Sequence, residues 1–240
     1  MVNEDELKAT VSGIFRERWD SDRWGRVVPG LDDLRLNANH GIRLDACVLY
    51  ADMSDSTGLV DNYKDEFAAE IYKAYMQCAG KLITDAGGVI TAYDGDRVMA
   101  IFLGDEKENS ATLAALRISY ALDYIISPAL VACYPESYAS GSPYLPGHTV
   151  GIDSSVILAA RIGVRGGNDI VWVGSAANHA AKLCSDNVGG RIRITDRVWR
   201  KLSDSMRVHN GSPVWTAEGE VRSGVLAWSS SWWFAPWYNP

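Results

Sequence analysis

The stretch "TAYDGDRVMAIF", residues 91–102, constrains the fold more tightly than any other part of this sequence. Two apolar runs rich in strand formers are separated only by Asp94, Gly95 and Asp96. Asp-Gly is a favoured dipeptide of tight hairpins, because Gly accepts a left-handed backbone and Asp tolerates the local geometry. The two runs therefore pair antiparallel, and they need further strands and a covering layer to bury them. The acids at the tip have two readings: turn chemistry, or carboxylates delivered to the edge of an apolar sheet for a purpose.

The flanking sequence supplies the other layers. Asn3 with Glu6 resembles a capping box opening a helix to about Trp19, and the following "SDRWGRVVPGLDDLRLNANHGIRL" has loop chemistry. "ACVLYAD" (46–52) predicts a strand, and Phe67, Ile71, Tyr75 and Cys78 fall at helical spacing ahead of Gly87-Gly88. A second amphipathic helix is expected over about 108–126, then the connection "YPESYASGSPYLPG". "HTVGID" and "SVILAARIG" read as paired strands, "DIVWVG" as another, "SAANHAAKLCSD" as a helix capped by Ser175, and "RIRIT" as a strand. This order predicts an α+β domain whose mostly antiparallel sheet is backed by helices on one face. Residues 1–43 form an N-terminal extension, 44–222 the main domain, and 223–240 an aromatic tail ending "SSSWWFAPWYNP". Trp232, Trp233, Phe234, Trp237 and Tyr238 of that tail pack over the domain or its mate, or serve partner docking.

A net charge of −7 argues against a nucleic-acid partner, which requires clustered Lys and Arg. No stretch approaches the roughly 18–20 apolar residues of a membrane span, and Met1 leads into the polar "VNEDELK". The expected location is the cytoplasm, with no membrane partner. Cys47, Cys78, Cys133 and Cys184 lack a C-x-x-C pattern and read as reduced core thiols. His179 reads as structural.

Asp96 has a counterpart in Asp52, at the end of the first predicted strand. If that strand lies beside the hairpin, two carboxylates meet without a basic neighbour, an arrangement that favours a divalent cation between them. Beyond Asp52, "MSDST" turns into a short helix, whose free N–H groups and the hydroxyls of Ser54, Ser56 and Thr57 form a cradle for phosphate oxygens. Metal plus phosphate cradle points to nucleoside triphosphate chemistry.

At these residues the sequence resembles the class III nucleotidyl cyclases. "LYADMSDSTGLV" is similar to their first metal motif and "YDGDRVMAIF" to their second, with Arg97 in place of its second glycine. "VWVGSAANHAAKL" resembles their third, an Asn followed four residues later by Arg; these positions are Asn178 and Lys182. The likeness spans roughly residues 44–202. It implies the ferredoxin-type cyclase fold and a head-to-tail homodimer with shared active sites. Two divalent cations, Mn2+ or Mg2+, would be held by Asp52, the Met53 main chain and Asp96 of one protomer. Asn178 and Lys182 of the other would orient the ribose and stabilise the phosphate under attack.

Purine cyclases of the family read the base with polar side chains at positions that here are Ala92 and Val171, neither of which can make those hydrogen bonds. Tyr50, on the strand face of Asp52, is either a stacking platform for the base or a core tyrosine. Arg97 is either a donor to a base carbonyl or a solvated arginine at a hairpin. With metal residues kept and purine readers lost, the chain resembles the pyrimidine cyclases of the bacterial Pycsar anti-phage system. That likeness implies a uridylate cyclase making cyclic UMP from UTP for a separate effector. The alternatives are a cytidylate cyclase and a degenerate homologue that binds nucleotide without turnover.

Overall fold

The computed structural model describes residues 3–135, 144–186, 189–221 and 223–240; most of the connection expected over 134–147 lies outside them. In chain order the elements are α1 (Glu4–Arg16), β1 (Gly41–Ser54), α2 (Ser56–Asn62), α3 (Asp65–Asp85), β2 (Val89–Asp94), β3 (Arg97–Phe102), α4 (Lys107–Ala121) and α5 (Ser127–Cys133). They continue with β4 (Gly147–Val164), β5 (Gly167–Val173), α6 (Ser175–Ser185) and β6 (Ile192–Thr195). After short helical turns come β7 (Val208–His209), β8 (Ser212–Pro213), β9 (Thr216–Glu220) and β10 (Leu226–Ser230). The main sheet runs β2-β3-β1-β4-β6-β10-β9, with β5 also paired to β4. Among the described pairings of these strands only β4–β6 is parallel, and two isolated parallel bridges, Asp20↔His40 and Trp24↔Arg43, lie outside them.

Alternation along β1 builds two cores. Cys47, Leu49, Ala51 and Met53 pack with Ile71 and Tyr75 of α3 and with Ala111, Ala115 and Ile118 of α4. Leu44, Ala46 and Val48 pack with Ala176, Ala177 and Ala180 of α6. Helices therefore cover both faces of the sheet, not one as the element order suggested. Strand order does not reveal on which side a crossover helix lands; the apolar residues at both parities of β1 do. Helix α6 sits so close to β4 that a Cβ at Gly151 would lie 2.1 Å from the Ala180 carbonyl oxygen, so only glycine fits there.

Four local expectations are corrected. The two strands expected over 148–163 are one continuous β4, because β1 pairs along it from Gly41↔Ala160 to Ser54↔Gly147 and Asp153 finds its partners inside the protein, with no need to turn out to water. Gly174, not Ser175, is the N-cap of α6. The second helix extends beyond 126: Lys107–Cys133 is a continuous 27-residue helical run, by length and composition able to cross a membrane. Its Ala111, Ala114, Ala115, Leu116 and Ile118 are buried in the core, as in the core helix of a folded domain. Cys133 is exposed, whereas Cys47 and Cys184 are buried. At the N-terminus, Asn3 does cap α1, accepting the Glu6 N–H at 2.7 Å, and the helix ends at Arg16.

The aromatic end packs on its own protomer. Phe234 is buried in the α3/α4 core and its N–H donates to the Leu116 carbonyl at 3.2 Å. Trp233 lies against Tyr120 and Tyr124 with ring centroids 5.4 and 4.7 Å away.

Candidate active site

The β2–β3 hairpin closes at the pair Asp94↔Arg97 around Gly95, with φ +61°, and Asp96. Asp94 is exposed and Asp96 half-buried. Asp52, near the end of β1, stands directly opposite Arg97 in register. The Arg97 guanidinium donates to Asp52 Oδ2 from Nη2 at 2.7 Å and from Nε at 3.1 Å, and to Ser185 Oγ at 3.3 Å. Asp52 Oδ1 is buried and accepts no hydrogen bond from any described residue. The expectation of two acids without a basic neighbour is corrected here. Arg97 follows Asp96 in the chain, and the strand register turns it onto Asp52.

Burial pushes the Asp52 carboxyl above its ordinary pKa; Arg97 opposes this, and the charge of Asp96 raises it further. Asp96 therefore acts on Asp52 electrostatically from the hairpin tip. Among the described residues no group of three or more His, Cys, Asp or Glu side chains forms a metal cage. Asp96, at the hairpin tip, is not among the residues lining the Asp52 cleft; the donors there are the carboxylates of Asp52, with one buried oxygen unused, and Asp55, beside the hydroxyls of Ser54 and Ser56. This suits a hard cation such as Mg2+ or Mn2+, which is commonly bound by one or two carboxylates plus substrate phosphates.

The site opens into a cleft of about 360 Å³ lined by Asp52, Met53, Ser54, Ser56, Thr57 and Arg97, together with Asp55, Thr149, Cys184 and Ser185. The sequence had singled out the first six. Ser185 was legible in principle, since it lies on the α6 face of Asn178 and Lys182, three residues beyond the latter. Thr149 was not, because only the pairing Asp52↔Thr149 brings it in. Burial holds the Cys184 thiol up at about 12, so it enters the cleft as a neutral group.

Tyr50 is half-buried and, like Ala92 and Trp172, packs against the core patch that includes Val48 and Met99. The Arg97 guanidinium carbon lies 6.0 Å from its ring centroid. Burial raises the Tyr50 phenol pKa, which keeps the hydroxyl available as a donor. Val171 pairs with Ala160 and lines a groove beside α1. Asn178 and Lys182 are exposed on α6, and neither side chain bonds to a described residue of its own protomer. Neither lines the Asp52 cleft. Their neighbour His179 is structural: its Nδ1 lies 2.9 Å from Oδ2 of the fully buried Asp153.

No protein-family model matches the chain. Solved structures share the fold: the guanylyl cyclase Cya2 superposes with a TM-score of 0.65 at 19% identity, over 82% of this chain and 96% of that one. The adenylyl cyclase CyaB from P. aeruginosa gives 0.58 at 20% identity, over 78% and 94%. Curated relatives are much nearer in sequence. A uridylate cyclase from Burkholderia cepacia is 44% identical over 234 residues, covering 97% of this chain and 98% of that protein. One from Xanthomonas perforans is 42% identical over 212 residues, 88% and 89% respectively. At 44% identity over nearly the whole of both chains, and on a fold shared with solved cyclases, the chain belongs to the uridylate cyclase family of class III nucleotidyl cyclases.

Proposed function

We propose that the protein converts UTP to 3′,5′-cyclic UMP and pyrophosphate. The observation that carries this reading is near-full-length similarity to proteins named uridylate cyclase. The base end supports it: Ala92 and Val171 offer no polar group to a purine edge, while Tyr50 and Arg97 supply a ring, a hydroxyl and a cationic donor. In the reaction the substrate's 3′-oxygen bonds to the α-phosphorus, the bond to the β-phosphate oxygen breaks, and the 3′-hydroxyl proton leaves to solvent.

Asp52, Asp96 and the Met53 main chain would hold two divalent cations, Mn2+ or Mg2+, which when bound neutralise charge on the 3′-oxygen and the leaving pyrophosphate. The hydroxyls of Ser54, Ser56 and Thr57 hold the triphosphate. Asn178 and Lys182 act on the cleft of a second copy in a homodimer, Asn178 orienting the ribose and Lys182 stabilising charge on the phosphate. Their exposure supports this division: both side chains are exposed on α6 and neither is among the residues lining the protomer's own Asp52 cleft. Lys182 contributes a point charge without the planar fork of an arginine. The product serves as a second messenger to a separate effector in cytoplasmic anti-phage defence.

The test is incubation with each of ATP, GTP, CTP and UTP and Mn2+, with separation of products. Cyclic UMP should dominate, with a preference over ATP above about a hundredfold, because a site lacking the polar readers cannot repay burial of a purine edge. Dominant cyclic CMP would overturn only the choice of uracil, and dominant cyclic AMP the pyrimidine assignment.

A further inference from the structure

The Asp52–Arg97 pair is an incomplete way to hold a half-buried carboxylate. A guanidinium and a carboxylate fit best through two parallel hydrogen bonds to two oxygens. Here both contacts, at 2.7 and 3.1 Å, fall on Oδ2, and the buried Oδ1 has no donor among the described residues. The carboxylate is fixed by strand register at the edge of β1, with 15% of its side chain exposed. The arginine is the looser partner: its side chain is 31% exposed, and its other contacts are Ser185 Oγ at 3.3 Å and the Tyr50 ring at 6.0 Å.

We propose that Arg97 is the resident counter-ion of Asp52, holding the carboxylate in place until a divalent cation arriving with the triphosphate displaces it, whereupon the guanidinium turns onto Tyr50. The inference rests on the proposed role of Asp52 as a metal ligand. A cation arriving alone must evict Arg97 and leave it without a partner, so its affinity is low. A cation arriving with nucleotide brings a base and phosphate oxygens that give the guanidinium new acceptors. Tyr50 is the landing place because it lies on the same face, two residues from Asp52, already at the outer edge of cation–π range. Arg97 is thus a positioning residue that couples the metal end of the site to its base end. By linkage, nucleotide tightens cation binding by the factor by which cation tightens nucleotide binding.

The experiment is a Mn2+ titration of the full chain followed by electron paramagnetic resonance, with and without a non-hydrolysable UTP analogue. The proteins are the wild type, Arg97→Ala, Arg97→Gln as a near-isosteric neutral variant, and Asp52→Asn. Without nucleotide, both Arg97 variants should bind Mn2+ at least about fivefold more tightly than the wild type, since a competing cation has been removed. They should also lose most of the nucleotide-induced gain. In EDTA they should melt below the wild type, with Mn2+ removing the difference. A guanidinium that merely braces the site predicts the opposite: weaker Mn2+ binding in both variants. Weaker or unchanged binding in both Arg97 variants, with binding lost in Asp52→Asn, overturns the inference and leaves the metal role of Asp52 standing. Wild-type Mn2+ binding by Asp52→Asn in the presence of the analogue overturns the metal role and the inference with it.

Discussion

Asp52 and Asp153 lie on neighbouring strands of one sheet, each beside an arginine, yet the protein treats them oppositely. Asp153 has no exposed surface, and both its oxygens are taken. It accepts from the Ser154 N–H at 2.8 Å, Thr195 Oγ1 at 2.5 Å, and Arg197 Nε and Nη2 at 2.7 Å each, with His179 Nδ1 at 2.9 Å. Asp52 has one oxygen doubly bonded to Arg97 and the other orphaned. A carboxylate satisfied at every lone-pair direction is part of the framework; one left half-satisfied beside a cleft has an acceptor to spare, which the proposed metal role uses.

The sharpest way to break this contrast is to delete each carboxylate. Asp52→Ala should abolish turnover, below about a thousandth of wild type, while the melting temperature changes little, because Arg97 can return to water. Asp153→Ala leaves the buried Ser154 N–H and Thr195 hydroxyl without their acceptor and should cost about 2–4 kcal/mol of stability, seen as a fall of about 5 °C or more in melting temperature. Exchanged phenotypes would overturn the assignment of roles.

The next test asks whether the half-satisfied site is completed by a second copy. Asp96→Ala and Asn178→Ala should each be severely impaired, yet mixing them should restore up to about a quarter of wild-type activity. Random re-pairing makes about half heterodimers, each with one intact site of two. No recovery, with subunit exchange confirmed by native mass spectrometry, would place the whole site within one protomer.

Acid pH separates framework from site by a smaller margin. His148 on β4 is buried between Ser119 Oγ at 3.0 Å and Tyr75 Oη at 3.5 Å, and desolvation lowers its pKa from 6.5 to about 3. The folded protein refuses a proton that the unfolded chain accepts, so this stability is present above the unfolded pKa of 6.5 and is lost progressively as pH falls toward 3. At about pH 5 the loss is about 2 kcal/mol. Denaturant melts should show it in the wild type and not in His148→Gln. Asp52 has the reverse sign: its raised pKa makes the folded state the better proton acceptor, so its share of stability declines as pH rises through the carboxyl range. A catalytic acid limb in pH–rate profiles with no matching loss of fold would isolate Asp52.

The smallest effect is expected at Asp94. Exposed at the start of the turn, it should tolerate Asn with activity within about threefold, whereas Asp96→Asn should be inactive. A dead Asp94→Asn beside an active Asp96→Asn would mean that the hairpin presents the other acid.

Periodicity and turn chemistry are local properties, and what depends on them was legible. The β2–β3 hairpin, the α3 and α6 helices, the Asn3 cap and the acids at 52 and 96 were readable from residues a few positions apart, whereas the apolar replacements at 92 and 171 had meaning only through the resemblance to the cyclase motifs. Tertiary structure decided the rest. Whether α6 lands on the face opposite α3 and α4, and whether 147–164 runs as one strand, depend on which distant surfaces bury each other. Pairing register decided that Arg97 faces Asp52 and that Thr149 joins the cleft, and a slip of one residue would have sent every such side chain to the other face. The sequence by itself determined which chemical groups this protein has to work with. Only long-range packing determined that one aspartate is fully paired while the other is held, half-paired, beside the cleft.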